Sequence, residues 1–239
     1  MNLTILGKYG PFATSISKST SSYLVESNGE YCVFDLGSGS VSKILEKISL
    51  ESIKFIFLSH MHYDHVSDFG VLSYAVNFLL KGKKINVYAY NDGSDLFNLI
   101  KSNNAFNVIE LERGKIYSEG EFEFSFYKME HPAVSHGIKL TSHNKTLVYS
   151  GDSTINGDIN SLVNNADLCL LDGCFLECDY LPTKPHMSIK QVCEIANKYS
   201  VKTIVTHISY NYTDEVVEEE INKYSSLCEV AKEGVTYKV

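Results

Sequence analysis

Residues 55–65 read FIFLSHMHYDH, an apolar run followed by a short cluster of metal-binding residue types. His60 and His62 are two positions apart, so on an extended segment their imidazoles point to the same side and can converge on one cation. Asp64 and His65 then turn toward a second position nearby. Such a cluster directly after a buried strand predicts a ligand site at the carboxyl end of that strand, where sheets of this kind bind ligands.

Three further polar residues share this placement: His131 ends EFEFSFYKMEH, Asp152 ends KTLVYSGD, and His207 ends KTIVTH. Each apolar run predicts a buried strand whose last residue lies at the rim of a sheet. Counted together with the first cluster, five of the eight histidines follow predicted strands. A set of unrelated surface or core histidines is the simpler alternative, but it does not explain the shared position.

The chain has 239 residues and a mass of 26.8 kDa, which suits one domain covering 1–239. Hydrophobic residues make up 44% of it, enough for a packed core. No apolar run approaches the roughly 18 residues of a membrane span, and the first residues lack a secretory signal pattern. None of the six cysteines forms a CxxC pair. We therefore expect a cytoplasmic protein with no membrane partner.

The charge balance indicates what kind of partner the chain binds. Asp and Glu total 29 against 21 Lys and Arg, a formal net charge of −8, and Arg113 is the only arginine. Proteins that grip long nucleic acids normally carry a basic field that replaces the counterions of the phosphates. The composition therefore disfavours a large polyanionic partner and favours a small-molecule substrate. It leaves open whether the chain forms a homodimer.

Short apolar strands alternate with amphipathic helices along the chain. The predicted strands cover 2–7, 21–27, 30–37, 53–60, 84–90, 121–131, 137–152, 168–173 and 202–207, with further strands near the end. The predicted helices cover about 40–48, 67–80, 93–102, 188–199 and 213–224. The Asn28-Gly29 pair is typical of a tight turn between two strands. This order predicts a layered α/β (α+β) sandwich.

The ordered set HxHxDH, His, Asp and His resembles the metallo-β-lactamase superfamily over essentially the whole chain. The resemblance implies a four-layer αβ/βα sandwich with a dinuclear metal site at one edge of its two sheets. It also implies a ligand set: His60, His62 and His131 for one ion, Asp64, His65 and His207 for the second, and Asp152 bridging both. Five imidazoles and two carboxylates suit two Zn²⁺ ions, with Mn²⁺ or Fe as alternatives.

Two positions indicate which branch of the superfamily the chain resembles. True β-lactamases of the superfamily have cysteine on the second metal, whereas Asp152 is typical of its other hydrolases. His62 distinguishes the chain from the flavo-diiron oxidoreductases, which have glutamate there. The segments SSYLVESNGEYCVFDLGSG, HPAVSHG, YSGDS, PHMS and TIVTHIS resemble landmarks of the phosphodiesterase branch around ribonuclease Z, in the same order.

Within that branch, a histidine of a short HMS-like motif donates a proton to the leaving group, and His186 matches it. An acidic residue of the preceding strand orients this histidine; it is Asp172 here, where the family usually has glutamate. Asp64 belongs to the same predicted catalytic centre. Ser188 and Gln191 form the pattern of a capping box, so His186 is expected just outside a helix N-terminus.

The function implied is a dinuclear metal-dependent phosphodiesterase with metal-bound hydroxide as nucleophile and His186 as general acid. Ribonuclease Z carries a long tRNA-binding arm, inserted in its bacterial form between the third metal histidine and the bridging aspartate. Here His131 and Asp152 are 21 positions apart (152 − 131), which two strands and a turn consume. We therefore expect a small phosphodiester substrate such as a cyclic nucleotide.

Other functions remain open at this point. A carboxylic ester, thioester or lactone hydrolase could use the same ligands, as could a tRNA 3′-processing endonuclease or a non-enzymatic binding module. The residues alone do not assign roles to His136, Cys174 and Cys178, and His143 in SHNKT is expected at a hairpin tip without a function.

Overall fold

The computed structural model describes residues 1–239. Its strands are β1 (Asn2–Gly7), β2 (Tyr9–Gly10), β3 (Ser22–Ser27), β4 (Glu30–Phe34), β5 (Ile53–Leu58), β6 (Ile85–Ala89), β7 (Phe106–Glu110), β8 (Ile116–Glu119), β9 (Phe122–Met129), β10 (Ser135–Ser142), β11 (Lys145–Tyr149), β12 (Leu168–Asp172), β13 (Lys202–Thr206), β14 (Ile208–Ser209), β15 (Cys228–Val230) and β16 (Thr236–Lys238). Its helices are α1 (Ser40–Lys47), α2 (Tyr63–Val66), α3 (Phe69–Leu79), α4 (Asp95–Ser102), α5 (Ile159–Val163), α6 (Ile189–Tyr199) and α7 (Asp214–Tyr224).

Two seven-stranded sheets form the centre of the molecule. One has the order β16-β1-β3-β4-β5-β6-β7 and the other β15-β13-β12-β11-β10-β9-β8. Helices α1, α3 and α4 pack on the outer face of the first sheet, and α5, α6 and α7 cover the second. The four-layer αβ/βα sandwich expected from the sequence is therefore confirmed.

The alternation of side chains along β5 shows why residues 55–58 of this strand are all apolar. Phe55 and Phe57 face the second sheet, where their rings stack on Phe124 and Phe126 at centroid distances of 4.2 and 5.0 Å. Ile56 and Leu58, which alternate with these phenylalanines, face the helices on the other side. Because helices cover one face and the second sheet covers the other, both faces of the strand are buried.

Strand direction brings the ends of several strands to one edge. In the first sheet β4, β5, β6 and β7 are parallel, and in the second β11, β12 and β13 are parallel. Strand β9 is antiparallel to β10, which is antiparallel to β11, so β9 and β11 run the same way. The loops after β5, β9, β11 and β13 therefore leave from the same edge of the sandwich.

The elements differ from the sequence-based expectation in a few places. The predicted helix over 67–80 is confirmed as α3, but the short helix α2 before it was not predicted. Asp68 separates the two helices: its amide donates to Leu36 O at 3.0 Å and its carboxylate accepts from Val41 N at 3.0 Å. Helix α5 and strands β7 and β8 were not predicted, since four or five residues carry little periodicity. None of the helices has the length and apolar character needed to cross a bilayer.

Candidate metal centre

The structure brings the predicted ligand residues together at this edge. Their donor atoms form two groups, in each of which all atoms lie within 4.8 Å of one another. The groups are His60, His62, His131 and Asp152, and Asp64, His65, Asp152 and His207. This is the division that the resemblance implied, with Asp152 common to both groups.

Asp152 lies between the two groups and presents one oxygen to each. Its Oδ2 atom is 3.6 Å from His60 Nε2 and 3.8 Å from His131 Nε2. Its Oδ1 atom is 3.2 Å from His65 Nε2 and 3.3 Å from His207 Nδ1. A carboxylate placed in this way can bridge two cations.

Several atoms at the centre are buried without a hydrogen-bond partner: His60 Nε2, His65 Nε2 and Asp152 Oδ1. Buried polar atoms nearly always have a partner, so such a cluster needs an explanation. Divalent cations would satisfy these atoms, and imidazole and carboxylate are ligands that Zn²⁺, Mn²⁺ and Fe accept. The residues present therefore fit divalent metal ions.

Burial and nearby charges set the protonation of the ligand side chains. Burial lowers the pKa of His60 well below its ordinary value and lowers that of His131 as well, which favours the neutral imidazoles that bind metals. Burial alone would raise the pKa of Asp152, but His207 and His65 hold it well below its usual range. Asp152 is therefore an anion at neutral pH.

Asp35 supports the centre from behind and was missed as a site residue by the sequence analysis. Its buried carboxylate accepts a hydrogen bond from His65 Nδ1 at 2.7 Å and from the Tyr149 hydroxyl at 2.6 Å. With its proton on Nδ1, His65 keeps the Nε2 lone pair for the centre. The available signal was the run EYCVFD, because Asp35 also follows an apolar strand.

Further contacts hold His131 and His207 in place. His131 Nδ1 donates to the Pro185 carbonyl at 3.1 Å, and the Ser21 hydroxyl lies 3.0 Å from His207 Nδ1. His207 has a φ of +55°, a left-handed conformation that non-glycine residues adopt only at a cost. Its ring lies so close to Gly10 that any Cβ there would overlap it. Glycine is therefore required at position 10.

His186 stands next to both groups. Its ring centroid is 4.9 Å from that of His207 and 5.1 Å from that of His131, and 13% of its side chain is exposed. Its Nδ1 atom donates to Asp172 Oδ2 at 2.7 Å. Burial would lower the pKa of His186, but the charge and hydrogen bond of Asp172, aided by Asp152, raise it to about 9.

The loop that presents His186 has the predicted helix start. Ser188 caps α6, accepting a hydrogen bond from Gln191 N, and the Gln191 side chain accepts one from Ser188 N at 2.9 Å. His186 thus lies two residues before the helix cap, as the capping-box pattern predicted.

The other residues singled out lie in different settings. Cys174 is buried within 4.8 Å of the donor atoms of His186 and His207, and burial raises the pKa of its thiol well above the ordinary value. Cys178 is exposed. His143 is at the tip of the β10–β11 hairpin and pairs with Glu121 at 2.7 Å. His136 stacks on Tyr90 and belongs to neither ligand group.

Comparison with known proteins agrees with this fold. The Beta-lactamase superfamily domain matches residues 31–208, most of the chain. The chain therefore belongs to the metallo-β-lactamase superfamily, and it is a metal-dependent hydrolase of that class.

Particular relatives cover nearly the whole chain. The "Probable metallo-hydrolase YhfI" of Bacillus subtilis is 26% identical over 100% of both chains, and its crystal structure superposes with a TM-score of 0.91 over 99% of this chain and 98% of that one. Ribonuclease Z of Methanosarcina acetivorans is 22% identical over 90% of each. Human tRNase Z, short form, has a TM-score of 0.77 at 18% identity, covering 100% of this chain and 99% of that one.

Proposed function

We propose that the protein is a phosphodiesterase that acts on small phosphodiesters. The observation that carries this proposal is His186, paired with buried Asp172 beside the two ligand groups and not part of either predicted ligand set. A phosphodiester releases an alkoxide, which needs a proton as the bond breaks. A dedicated acid is less important for acyl transfer, so the His186–Asp172 pair favours the phosphodiester over an ester, thioester or lactone.

The metal ligands belong to the same proposal. We assign His60, His62 and His131 to one ion, Asp64, His65 and His207 to the other, and Asp152 to both. When bound, two such ions would activate a water nucleophile and neutralise phosphate oxygens. Zn²⁺ is the proposed ion, with Mn²⁺ or Fe as alternatives that the ligands also accept.

The chain's own residues hold and deliver protons. Asp35 keeps the His65 proton on Nδ1, which leaves Nε2 facing the centre. Asp172 likewise orients His186 through Nδ1, so Nε2–H is free to protonate the leaving oxygen. With a pKa of about 9, His186 carries that proton at neutral pH.

Two observations support a small substrate. The residues between His131 and Asp152 are largely taken up by β10, β11 and their hairpin tip, which leaves no inserted arm in that interval. The formal net charge of −8 opposes binding of a long nucleic acid. The similarity to ribonuclease Z supports the phosphodiester class.

The test is a substrate panel with purified, metal-loaded protein. We expect hydrolysis of bis(p-nitrophenyl) phosphate and of at least one nucleotide diester, with slower or no hydrolysis of p-nitrophenyl acetate, a thioester and a lactone. The matched variant is His186→Ala, which removes the proposed acid and should slow hydrolysis of the nucleotide diester far more than that of bis(p-nitrophenyl) phosphate. Faster turnover of an acyl substrate than of every diester would contradict the proposal.

A further inference from the structure

A cavity of about 690 Å³ lies beside the metal centre and has no role in the reaction described so far. This volume is within the range of about 300–1,000 Å³ that small-molecule sites occupy. The lining residues include Tyr90, which follows β6, and Arg113, which follows β7, so the cavity opens at the same edge of the sandwich as the metal centre.

The cavity and the metal centre share structural supports. The loop between β9 and β10 contributes His131 to the ligand groups and Val134 to the cavity wall. His136 lines the cavity, and its amide donates to Ser59 O at 3.0 Å, directly before His60 in the chain. The two sites therefore share the loop between β9 and β10 and the end of β5, and they open at the same edge of the sandwich.

The wall of the cavity is suited to a planar ring. Tyr90 stacks on His136 with a centroid distance of 4.8 Å and an interplanar angle of 27°, yet Tyr90 keeps 37% of its surface exposed. Phe126 and Tyr127 also line the cavity. The Nδ1 atom of His136 is buried and has no hydrogen-bond partner.

The same cavity has cations to hold an anion. Arg113 and Lys128 line it and have no carboxylate at ion-pair distance, whereas the lining residue Glu112 is neutralised by Lys115. Asp158 is the remaining lining carboxylate and offsets one of the two cations. In a chain of net charge −8, the only arginine thus lies unpaired at this cavity. Arginine is the side chain best suited to a phosphate group.

We propose that the cavity binds a nucleoside phosphate, with the base against Tyr90 and the phosphate beside Arg113 and Lys128. Combined with the proposed phosphodiesterase function, on which this step rests, the substrate is a linear dinucleotide. Its internal diester lies at the metal centre, and its terminal nucleoside phosphate lies in the cavity.

The test uses the absence of tryptophan from the chain. Tyr90→Trp introduces a single fluorescent reporter into the cavity wall, and metal-loaded protein is titrated with adenosine 5′-monophosphate. We expect a saturable fluorescence change, with none in a control protein that carries the reporter at the exposed position Phe78, Phe78→Trp.

Adding Arg113→Gln to the Tyr90→Trp protein should weaken nucleotide binding about tenfold, the size of one charge-assisted contact. Adding Lys232→Gln, an equal loss of charge on an exposed side chain that pairs with Glu218, should leave the affinity unchanged.

Calorimetry of the wild type and Arg113→Gln, neither carrying the tryptophan, repeats the measurement in case Tyr90→Trp alters the cavity. Equal affinity of both for the nucleotide would mean that it binds only at the metals and would overturn the proposal. The hydrolysis panel is independent of this result. Failure to hydrolyse any diester removes the proposed function and the dinucleotide substrate, whereas the nucleotide titration alone decides whether the cavity is a binding site.

Discussion

His186 Nδ1 lies 2.7 Å from Asp172 Oδ2, close enough for a strong charge-assisted hydrogen bond. Asp172 is the last residue of β12, and its carboxylate also accepts from Ser153 N at 3.0 Å and Cys174 N at 3.2 Å. These two amides fix the carboxylate in one orientation. The aspartate therefore reaches His186 although its side chain is shorter than the glutamate that the family usually has here.

The first prediction concerns the leaving group. His186→Ala should lower kcat by about 10²–10⁴-fold for a diester with an alkoxide leaving group, because that oxygen needs a proton. For a p-nitrophenolate leaving group the loss should be much smaller. Parallel kcat measurements on the two substrates test this, and metal analysis should show that the variant keeps its ions.

His143→Ala provides the matched control, since it removes an exposed histidine from a hairpin tip. It should leave both rates unchanged. An equal loss for both leaving groups in His186→Ala would show that His186 binds substrate or supports the loop instead of donating a proton.

The second prediction concerns pH. Asp172 raises the pKa of His186, so Asp172→Asn should lower it. The acid is active only while protonated, and the decline of kcat at high pH should therefore move to lower pH in the variant. A pH profile of kcat with an alkoxide substrate measures the shift. A high-pH limb at the same position in both proteins would separate Asp172 from the proton donor.

The third prediction concerns metal content. Asp152 is the only residue shared by the two ligand groups, so the wild type should bind two divalent ions per chain and Asp152→Ala should lose one or both. Elemental analysis after dialysis gives the stoichiometry. Asp95→Ala, the same change on an exposed residue of α4, should retain both ions. One ion in the wild type, with no second after addition of Zn²⁺ or Mn²⁺, would falsify the dinuclear assignment.

The fourth prediction concerns Asp35. In Asp35→Asn the new amide can place a donor against His65 Nδ1, which would move the His65 proton to Nε2 and take that lone pair from the centre. Metal affinity should fall by about 10–100-fold, the usual effect of losing a residue that orients a ligand. Competition with a chromophoric chelator measures the affinity, and Asp95→Asn is the control. Unchanged affinity would show that Asp35 serves only the fold.

The fifth prediction concerns substrate size. The wild type should hydrolyse small nucleotide diesters with a far higher kcat/KM than precursor tRNA, because β10 and β11 occupy the interval of the arm and the chain is acidic. Competition between a labelled tRNA precursor and a small diester gives the ratio directly. Efficient cleavage at the tRNA 3′ end would restore the ribonuclease Z function.

Much of the ligand geometry was readable from the sequence for a local reason. An apolar run buries a strand, and the polar residues that directly follow the run then lie at the sheet edge, as His60, His131 and His207 do. Asp35 follows the same rule but was overlooked, because it follows a strand without a neighbouring histidine in sequence. Its partner His65 is 30 positions away, and only the parallel pairing of β4 with β5 brings them together.

The sequence by itself determined the element types, the superfamily and the residues at the strand ends, since strand burial and the ordered His and Asp motifs are properties of short segments. Only the tertiary structure decided the distances within each ligand group, that the shorter Asp172 still reaches His186, and that Arg113 lines the same cavity as His136. These relationships join segments from different strands and loops. Their distances depend on how the two sheets pack and in which direction each strand runs, and no local pattern encodes either.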